Sequence, residues 1–367
     1  MINKMWLHRK SLRLQIAAAI LLTSIGTASA VMLSDRHDIV PQANNEGRLV
    51  IYSATDEHEA TELISSFHDK YPKISVDYRS LTAADVYQRF MAESKSGHIV
   101  ADMLINSAMD LQIKLVNDGY AQRYISPERR ALPSWAVWKS EAFAISTEPI
   151  VMGYNARLLA PNLVPRTHDE LASLLHRRPD IFTGRIGSYD PERSPTGYLY
   201  ITQDVENDRD GWDLIAAVGR ARPILFVSSH DMIKAVSDGR LVLAYNLIGS
   251  YAFESAAKDP NFRVVVPQDY ALMMSRVALI TRGAPHPAAA RLFLDFLLSK
   301  SGQSIMARHH MTPVRLDVAS HQPWLGSTNV RAVRVGPALM AGLDTLTFAG
   351  FTRKWLDAVS DRPKLQT

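Results

Sequence analysis

Leu49-Val50-Ile51-Tyr52-Ser53-Ala54-Thr55-Asp56-Glu57-His58-Glu59-Ala60-Thr61-Glu62-Leu63-Ile64-Ser65-Ser66-Phe67 is the stretch whose pattern decides the fold. Leu49 to Tyr52 reads as a short buried strand. Ala60, Leu63, Ile64 and Phe67 then recur at the i, i+3, i+4, i+7 spacing of one helical face, and Asp56 with Glu59 has the spacing of a capping box. The loop Ser53-Ala54-Thr55-Asp56 between them lies where a strand's carboxyl end meets a helix N-terminus. Open α/β sheets bind ligands at that edge, with backbone N–H groups and small hydroxyls pointing outward.

The same unit recurs downstream. Ile74 to Tyr78 alternates like a strand and precedes a helix from Thr82 to Ser94, with Val86, Phe90 and Met91 in phase and Thr82 and Asp85 suited to its cap. Ala101 to Ile105 is a third strand, and Asn106-Ser107-Ala108 leads into a helix from Met109 to Asn117 that stops at Gly119. The order βαβαβα predicts a parallel sheet flanked by helices. Strands over Ala142 to Ser146 and Ile150 to Tyr154 are expected to pair around Glu148-Pro149, where the chain first crosses into a second lobe. Arg185 to Tyr189 opens into a loop, Asp190 to Tyr198, ahead of a helix through Thr202 to Asp208. Leu241 to Tyr245 ends at Asn246-Leu247-Ile248-Gly249-Ser250-Tyr251 before a helix from Ala252 to Ala257. Val277 to Ile280 returns the chain to the first lobe, and Ala290, Phe293, Leu294 and Leu297 mark an amphipathic helix. The organisation expected is an α/β protein of two interleaved lobes. Residues 48–148 and 276–317 form lobe 1, 149–275 form lobe 2, and 318–367 form a C-terminal helical segment packing on the lobes. Residues 31–47 read as a flexible lead-in.

Residues 1–30 form a separate unit. Lys4, Arg9, Lys10 and Arg13 precede an apolar run from Leu14 to Ile25 and the small residues Ala28-Ser29-Ala30, the pattern of a secretory signal peptide cleaved after Ala30. Loss of its four basic residues takes the formal net charge from +4 to zero, which removes the compositional support for nucleic-acid binding. Cysteine is absent, so the exported chain has neither disulfides nor the Cys that anchors a bacterial lipoprotein. A soluble periplasmic protein is expected. A hydrophobic share of 47% with 21% charged residues is that of a globular chain.

From Leu49 to about Val318 the chain resembles the periplasmic solute-binding proteins of ABC transporters, in the group with ferric-iron-binding and phosphorylated-anion-binding members. The resemblance is carried by Ala101-Asp102-Met103-Leu104, Val151-Met152-Gly153-Tyr154-Asn155, Phe182-Thr183-Gly184-Arg185-Ile186, Asp190-Pro191 with Ser194-Pro195-Thr196-Gly197-Tyr198, and Gly283-Ala284-Pro285-His286-Pro287 with Ala290 to Gln303. It implies the two-lobe type II fold, with lobes joined by crossing strands and a solute trapped when they close. It implies no cofactor and no catalysis, a monomer, and a partner in the inner membrane, either an ABC permease or a sensor kinase.

Ser53, Ala54, Thr55, Ser107, Ala108, Ser194, Thr196, Gly197, Ser250 and Tyr251 sit at strand ends, mostly before helices, where donors favour phosphate or carboxylate oxygens. Arg193 is the expected charged clamp, able to bind an anion bidentately. The solute expected is a phosphorylated sugar, phosphoglycerate, phosphonate or similar organic anion. Iron is the alternative. Iron binders of this family resemble one another in two adjacent tyrosines, and here Tyr251 is followed by Ala252, so His58 and Glu57 would have to complete the shell. A periplasmic hydrolase is the alternative of another class; G-x-S-x-G, H-E-x-x-H and G-x-x-x-x-G-K-[ST] motifs are all absent.

Overall fold

A computed structural model describes residues 39–207, 211–319, 326 and 328–359. The expected leader and its cleavage site lie outside those residues. In chain order, β1 (Arg48–Ser53), β2 (Ser75–Ser80), β3 (Met103–Asn106), β4 (Val137–Trp138) and β5 (Ala142–Ala144) lie in one sheet. A second sheet takes β6 (Ser146–Asn155), β7 (Ile186–Tyr189), β8 (Ile224–Phe226), β9 (Leu243–Ile248), β10 (Phe262–Val265) and β11 (Ala271–Met274). Then β12 (Val277–Ile280) returns to the first sheet, while β13 (Thr312–Pro313) and β14 (Val330–Ala332) join the second.

The strand orders are β2-β1-β3-β12-β5-β4 and β14-β11-β6-β9-β7-β8, with β10 and β13 also paired to β6. As the repeated strand-helix pattern predicts, β1 is parallel to both β2 and β3. In β1, Leu49 to Ser53 are all buried, and the helix Glu57–Lys70 buries Ala60, Leu63 and Phe67 against the sheet. Thr82 caps the helix Ala83–Ser96 by accepting from the Asp85 N–H at 3.1 Å, and Gly97 ends it at φ 72°, a left-handed turn that costs glycine little. Asp102, fully buried, accepts from Val50 N at 2.7 Å and from His286 N at 2.6 Å, tying β1 to the start of the helix Pro287–Leu298.

Several elements differ from expectation. The residues around Glu148-Pro149 do not turn a hairpin. β5 stays in the first sheet and pairs with β12, while β6 runs as one strand of the second from Ser146, so Glu148 lies inside a strand. The helix expected from Thr202 begins earlier, at Pro195, because Ser194 Oγ accepts from Gly197 N at 3.2 Å and caps the turn. Likewise the helix expected from Ala252 begins at Gly249. Within the expected lead-in, Ile39–Glu46 is a helix. It packs on the helix Pro287–Leu298, where the Glu46 carboxylate accepts from Ala288 N at 3.1 Å and Ala289 N at 2.7 Å, satisfying N–H groups that a helix start leaves orphaned.

The chain crosses between sheets at Ile145 and returns at Ser275-Arg276, and the two crossings are bonded to each other, Ile145 N to Arg276 O at 2.9 Å. After β14, a 3-10 turn Pro337–Leu343 packs on the helix Met109–Asn117, and the helix Thr345–Val359 packs on Gly211–Arg220. Among the described residues no helix is long and apolar enough to cross a membrane.

Gly219 faces the C-terminal helix so closely that a Cβ there would stand 2.1 Å from the Ala358 carbonyl oxygen. Gly219→Val is expected to lower stability by about 1–3 kcal/mol, the range for overpacking. Thermal unfolding and limited proteolysis, with release of a C-terminal fragment, measure it.

Candidate functional site

The crossing between β11 and β12 places Arg276 between the two sheets, and that position defines the site. Its side chain is 1% exposed. The guanidinium is held by Glu148 from β6, Nε to Oε1 at 2.9 Å and Nη2 to Oε2 at 3.2 Å, a forked charge-assisted pair. Its remaining N–H groups reach both lobes. Nη1 donates to Thr55 Oγ1 at 2.6 Å from the first lobe and to Tyr251 OH at 3.1 Å from the second, while Nη2 donates to Ser250 Oγ at 3.1 Å. The cation also lies 4.9 Å from the centre of the Tyr251 ring.

Further bonds close the gap around this group. Ser107 Oγ and Thr196 Oγ1 are 3.1 Å apart across the cleft, and Asp56 N donates to Tyr251 OH at 3.3 Å. At the rim, His58 of the first lobe lies 3.2 Å from Glu254 of the second, and His230 lies 3.6 Å from Asp56. The lobes therefore touch through side chains carried on helix starts. Thr55 and Asp56 precede Glu57–Lys70, Ser107 precedes Met109–Asn117, Thr196 opens Pro195–Asn207, and Ser250 and Tyr251 open Gly249–Lys258. Two of these helix starts, at Thr55 and at Ser250-Tyr251, bond the guanidinium itself, so their partial positive ends sum with a formal cation that Glu148 balances.

The structure thus brings Thr55, Ser250 and Tyr251 onto Arg276, and Ser107 onto Thr196. Other expected site residues serve their own loops. Ser53 Oγ accepts from Thr55 N at 3.0 Å, Ala54 N donates to Ile105 O at 2.9 Å, and Ala108 N donates to Asn106 Oδ1 at 3.0 Å. Ser194 caps its helix, and Gly197 packs where a Cβ would meet Tyr189 Cβ at 2.3 Å. Arg193 is exposed and does not join the cluster; its side chain lines a separate groove with Leu225, Phe226, Asp231, Lys234 and Arg240. Glu57 and His58 are exposed as well, so the residues named for iron do not gather around Tyr251.

Sequence reasoning missed Arg276, Glu148, Glu59 and Tyr200. A signal for the first was present: Arg276 lies in the mostly apolar run Ala271 to Ile280, and a charge in such a run needs a partner. Glu148 stands between Ser146-Thr147 and Pro149, where a charge is unremarkable. Glu59 does not form the expected capping box, since no side-chain cap bond is made at Asp56; it is 2% exposed and turned toward Arg276, with Oε2 3.5 Å from Nη2. Burial raises its pKa to about 8, with the nearby Arg276 cation opposing the shift. Tyr200 follows Thr196 by one helical turn, and Asp204 follows by another. The Asp204 carboxylate accepts from Tyr245 OH, from Asn246 Nδ2 at 2.9 Å and from Tyr270 OH at 3.0 Å, fixing this helix against β9. Burial holds the Tyr251 phenol well above its usual pKa despite the adjacent Arg276. Among the described residues no group of three His, Asp or Glu side chains comes together to hold a metal ion.

Comparison with known proteins gives the class that this geometry belongs to. The bacterial extracellular solute-binding protein family matches residues 62–330. A crystal structure of the substrate-binding protein of an ABC transporter from Agrobacterium tumefaciens is 37% identical, with a TM-score of 0.81, over 85% of this chain and 94% of that one. AfuA from Actinobacillus pleuropneumoniae with exogenous fructose-6-phosphate bound is 19% identical, with a TM-score of 0.71 over 86% and 99% of the two chains. Iron-bound HitA from Pseudomonas aeruginosa is 17% identical, with a TM-score of 0.68 over 85% and 99%. A sequence comparison with curated proteins gives no match. The chain belongs to the bacterial extracellular solute-binding protein family, with the two-lobe type II fold. It is a solute-binding protein of an ABC transporter, a family of binding proteins rather than enzymes, working outside the cytoplasm.

Arg276→Met leaves Glu148 buried without its cation and is expected to cost about 3–5 kcal/mol. Arg276→Met with Glu148→Met together is expected to recover much of that loss. Urea denaturation of the two variants beside the unaltered protein checks it.

Proposed function

We propose that this protein captures a small organic anion in the periplasm, with the solute held between the lobes at Arg276 and the closed form presented to an inner-membrane partner. The observation that supports this most is a fully buried guanidinium at the crossing strands, reached by hydroxyl groups of both lobes at two helix starts. An anion gains from those ends only when both lobes approach it. Closure is therefore stabilised by the solute's differential affinity for the closed form. A phosphorylated sugar, a phosphoglycerate or a phosphonate has the charge and oxygen count that these donors suit. The neighbour with fructose-6-phosphate bound is consistent with that class.

Ferric iron fits the site less well. Tyr251, the phenol it would need, already accepts from the Arg276 cation at 3.1 Å, so a ferric ion on that oxygen would sit beside a second positive charge. Glu57 and His58 face solvent instead. Ligand capture in this scheme needs no bond-making step, so the protein acts as a receptor and not as a hydrolase. The partner that reads the closed lobes is an ABC permease, in keeping with the family; presentation to a sensor kinase would use the same surfaces.

A thermal-shift screen of phosphate esters, phosphonates, dicarboxylates and ferric citrate tests the reading. A cognate anion at a hundred times its dissociation constant is expected to stabilise the protein by about 2.7 kcal/mol. Thr196→Val and Tyr251→Phe should reduce that shift while Arg193→Ala leaves it intact. A shift with ferric citrate alone, lost in Tyr251→Phe, would overturn the anion reading.

A further inference from the structure

The C-terminal segment leaves the second sheet, packs on the first lobe and returns to the second. β14 runs parallel to β11, and Val333 N donates to Met273 O at 2.9 Å, which fixes the start of the segment on the second lobe. Its end is fixed there as well. Trp355 is 1% exposed, the ring of buried Phe351 is centred 5.4 Å from that of Trp212, and the helix Thr345–Val359 packs on Gly211–Arg220. Between these anchors the 3-10 turn Pro337–Leu343, with Leu339 buried, packs on Met109–Asn117, a helix of the first lobe.

The place of that turn relative to the cleft gives it a mechanical role. Ser107 lies two residues before Met109–Asn117, Thr196 lies in the first turn of Pro195–Asn207, and their hydroxyls meet across the cleft at 3.1 Å. Two residues beyond Thr196, Tyr198 OH donates to Gly342 O at 2.5 Å. The Tyr198 ring also meets Phe348 at 5.0 Å and Phe351 at 5.1 Å, both edge to face. One short turn is therefore held by a second-lobe helix while it packs on a first-lobe helix, beside a point where the lobes touch. A movement that parts Ser107 from Thr196 carries Met109–Asn117 away from Pro195–Asn207. The turn, tied to Pro195–Asn207 by a hydrogen bond and by the rings that follow it, stays with the second lobe and gives up its packing on the first. Apolar surface is uncovered in that step, so opening is opposed.

We propose that residues 337–359 form a strap that belongs to the second lobe, grips the first through the turn Pro337–Leu343 and lets go when the cleft opens. The strength of the grip then sets how much of the solute-free protein is open, whatever solute the cleft takes. Such a strap raises affinity, because less of the binding free energy goes into closure. It also slows entry, because a solute waits for the grip to release.

The chain has no cysteine, so two introduced cysteines take spin labels without competition. Labels at Lys95 in the first lobe and Arg240 in the second, both exposed, report the lobe separation of the solute-free whole protein by double electron–electron resonance. Leu339→Ala in the labelled protein should raise the open, long-distance fraction at least about threefold. Tyr198→Phe keeps the ring but loses the bond to Gly342, and should raise that fraction by less. Leu346→Ala, in the same segment but 82% exposed, should leave it unchanged. Circular dichroism checks that each variant is folded, and if Leu339→Ala does not fold, Tyr198→Phe decides alone. The strap is overturned if the labelled parent is already mainly open, or if the folded variants keep the parent's distribution or shift it to shorter distances. It is overturned equally if Leu346→Ala opens the lobes as far as Leu339→Ala does.

Discussion

A single buried cation at the point where the chain changes sheets governs this molecule. Arg276 cannot be solvated at 1% exposure, so every N–H it carries must find an acceptor within the protein, and those acceptors come from three directions. Glu148 supplies the counter-charge from the crossing strand. Thr55 belongs to the first lobe, Ser250 and Tyr251 to the second. The relative position of the lobes is thereby coupled to the satisfaction of one side chain. In the proposed capture, separating them exposes donors and hydroxyls that a solute can take, and bringing them together buries those groups again.

The surrounding architecture keeps that residue in place. Its carbonyl accepts from Ile145, so the two crossings are held side by side, and its N–H donates to Ser146 Oγ at 3.2 Å. Ser146 in turn donates to Glu148 at 2.6 Å, and Ser250 donates to the other Glu148 oxygen, so the carboxylate is saturated before any ligand arrives. A saturated carboxylate is a poor general base, in keeping with a site that holds rather than transforms. Beyond the cluster, Tyr198 OH donates to Gly342 O at 2.5 Å, so the C-terminal segment spans from the helix Pro195–Asn207 to the helix Met109–Asn117 on which its 3-10 turn packs.

Much of this was legible in the sequence where local rules agree with the global fold. Apolar periodicity located β1, β3, β12 and their helices, because strands buried on both faces are continuous apolar runs and their helices need only one stripe. Loops at strand ends gave Thr55, Ser107, Thr196, Ser250 and Tyr251 for the same reason. What failed was the assignment of charge. Arg193 has the company of hydroxyls in sequence but faces water, whereas Arg276 sits between Met273-Met274 and Val277-Ala278 with nothing local to say that it meets Glu148, 128 residues earlier. Glu59 matches a capping box in spacing and is buried in the cleft instead, since only the tertiary fold brings Arg276 above it. Ion pairs of long sequence separation leave no periodic trace; the one local hint is an ionisable residue in an apolar run.

The capture of a solute at the crossing-strand cation is tested most directly by a crystal structure grown with the anion that gives the largest thermal shift. The solute should lie between the lobes, within hydrogen-bond distance of Arg276 Nη1, Thr55 and Tyr251. A solute seated in the groove beside Arg193, Lys234 and Arg240, with the Arg276 cluster unchanged, would contradict the account.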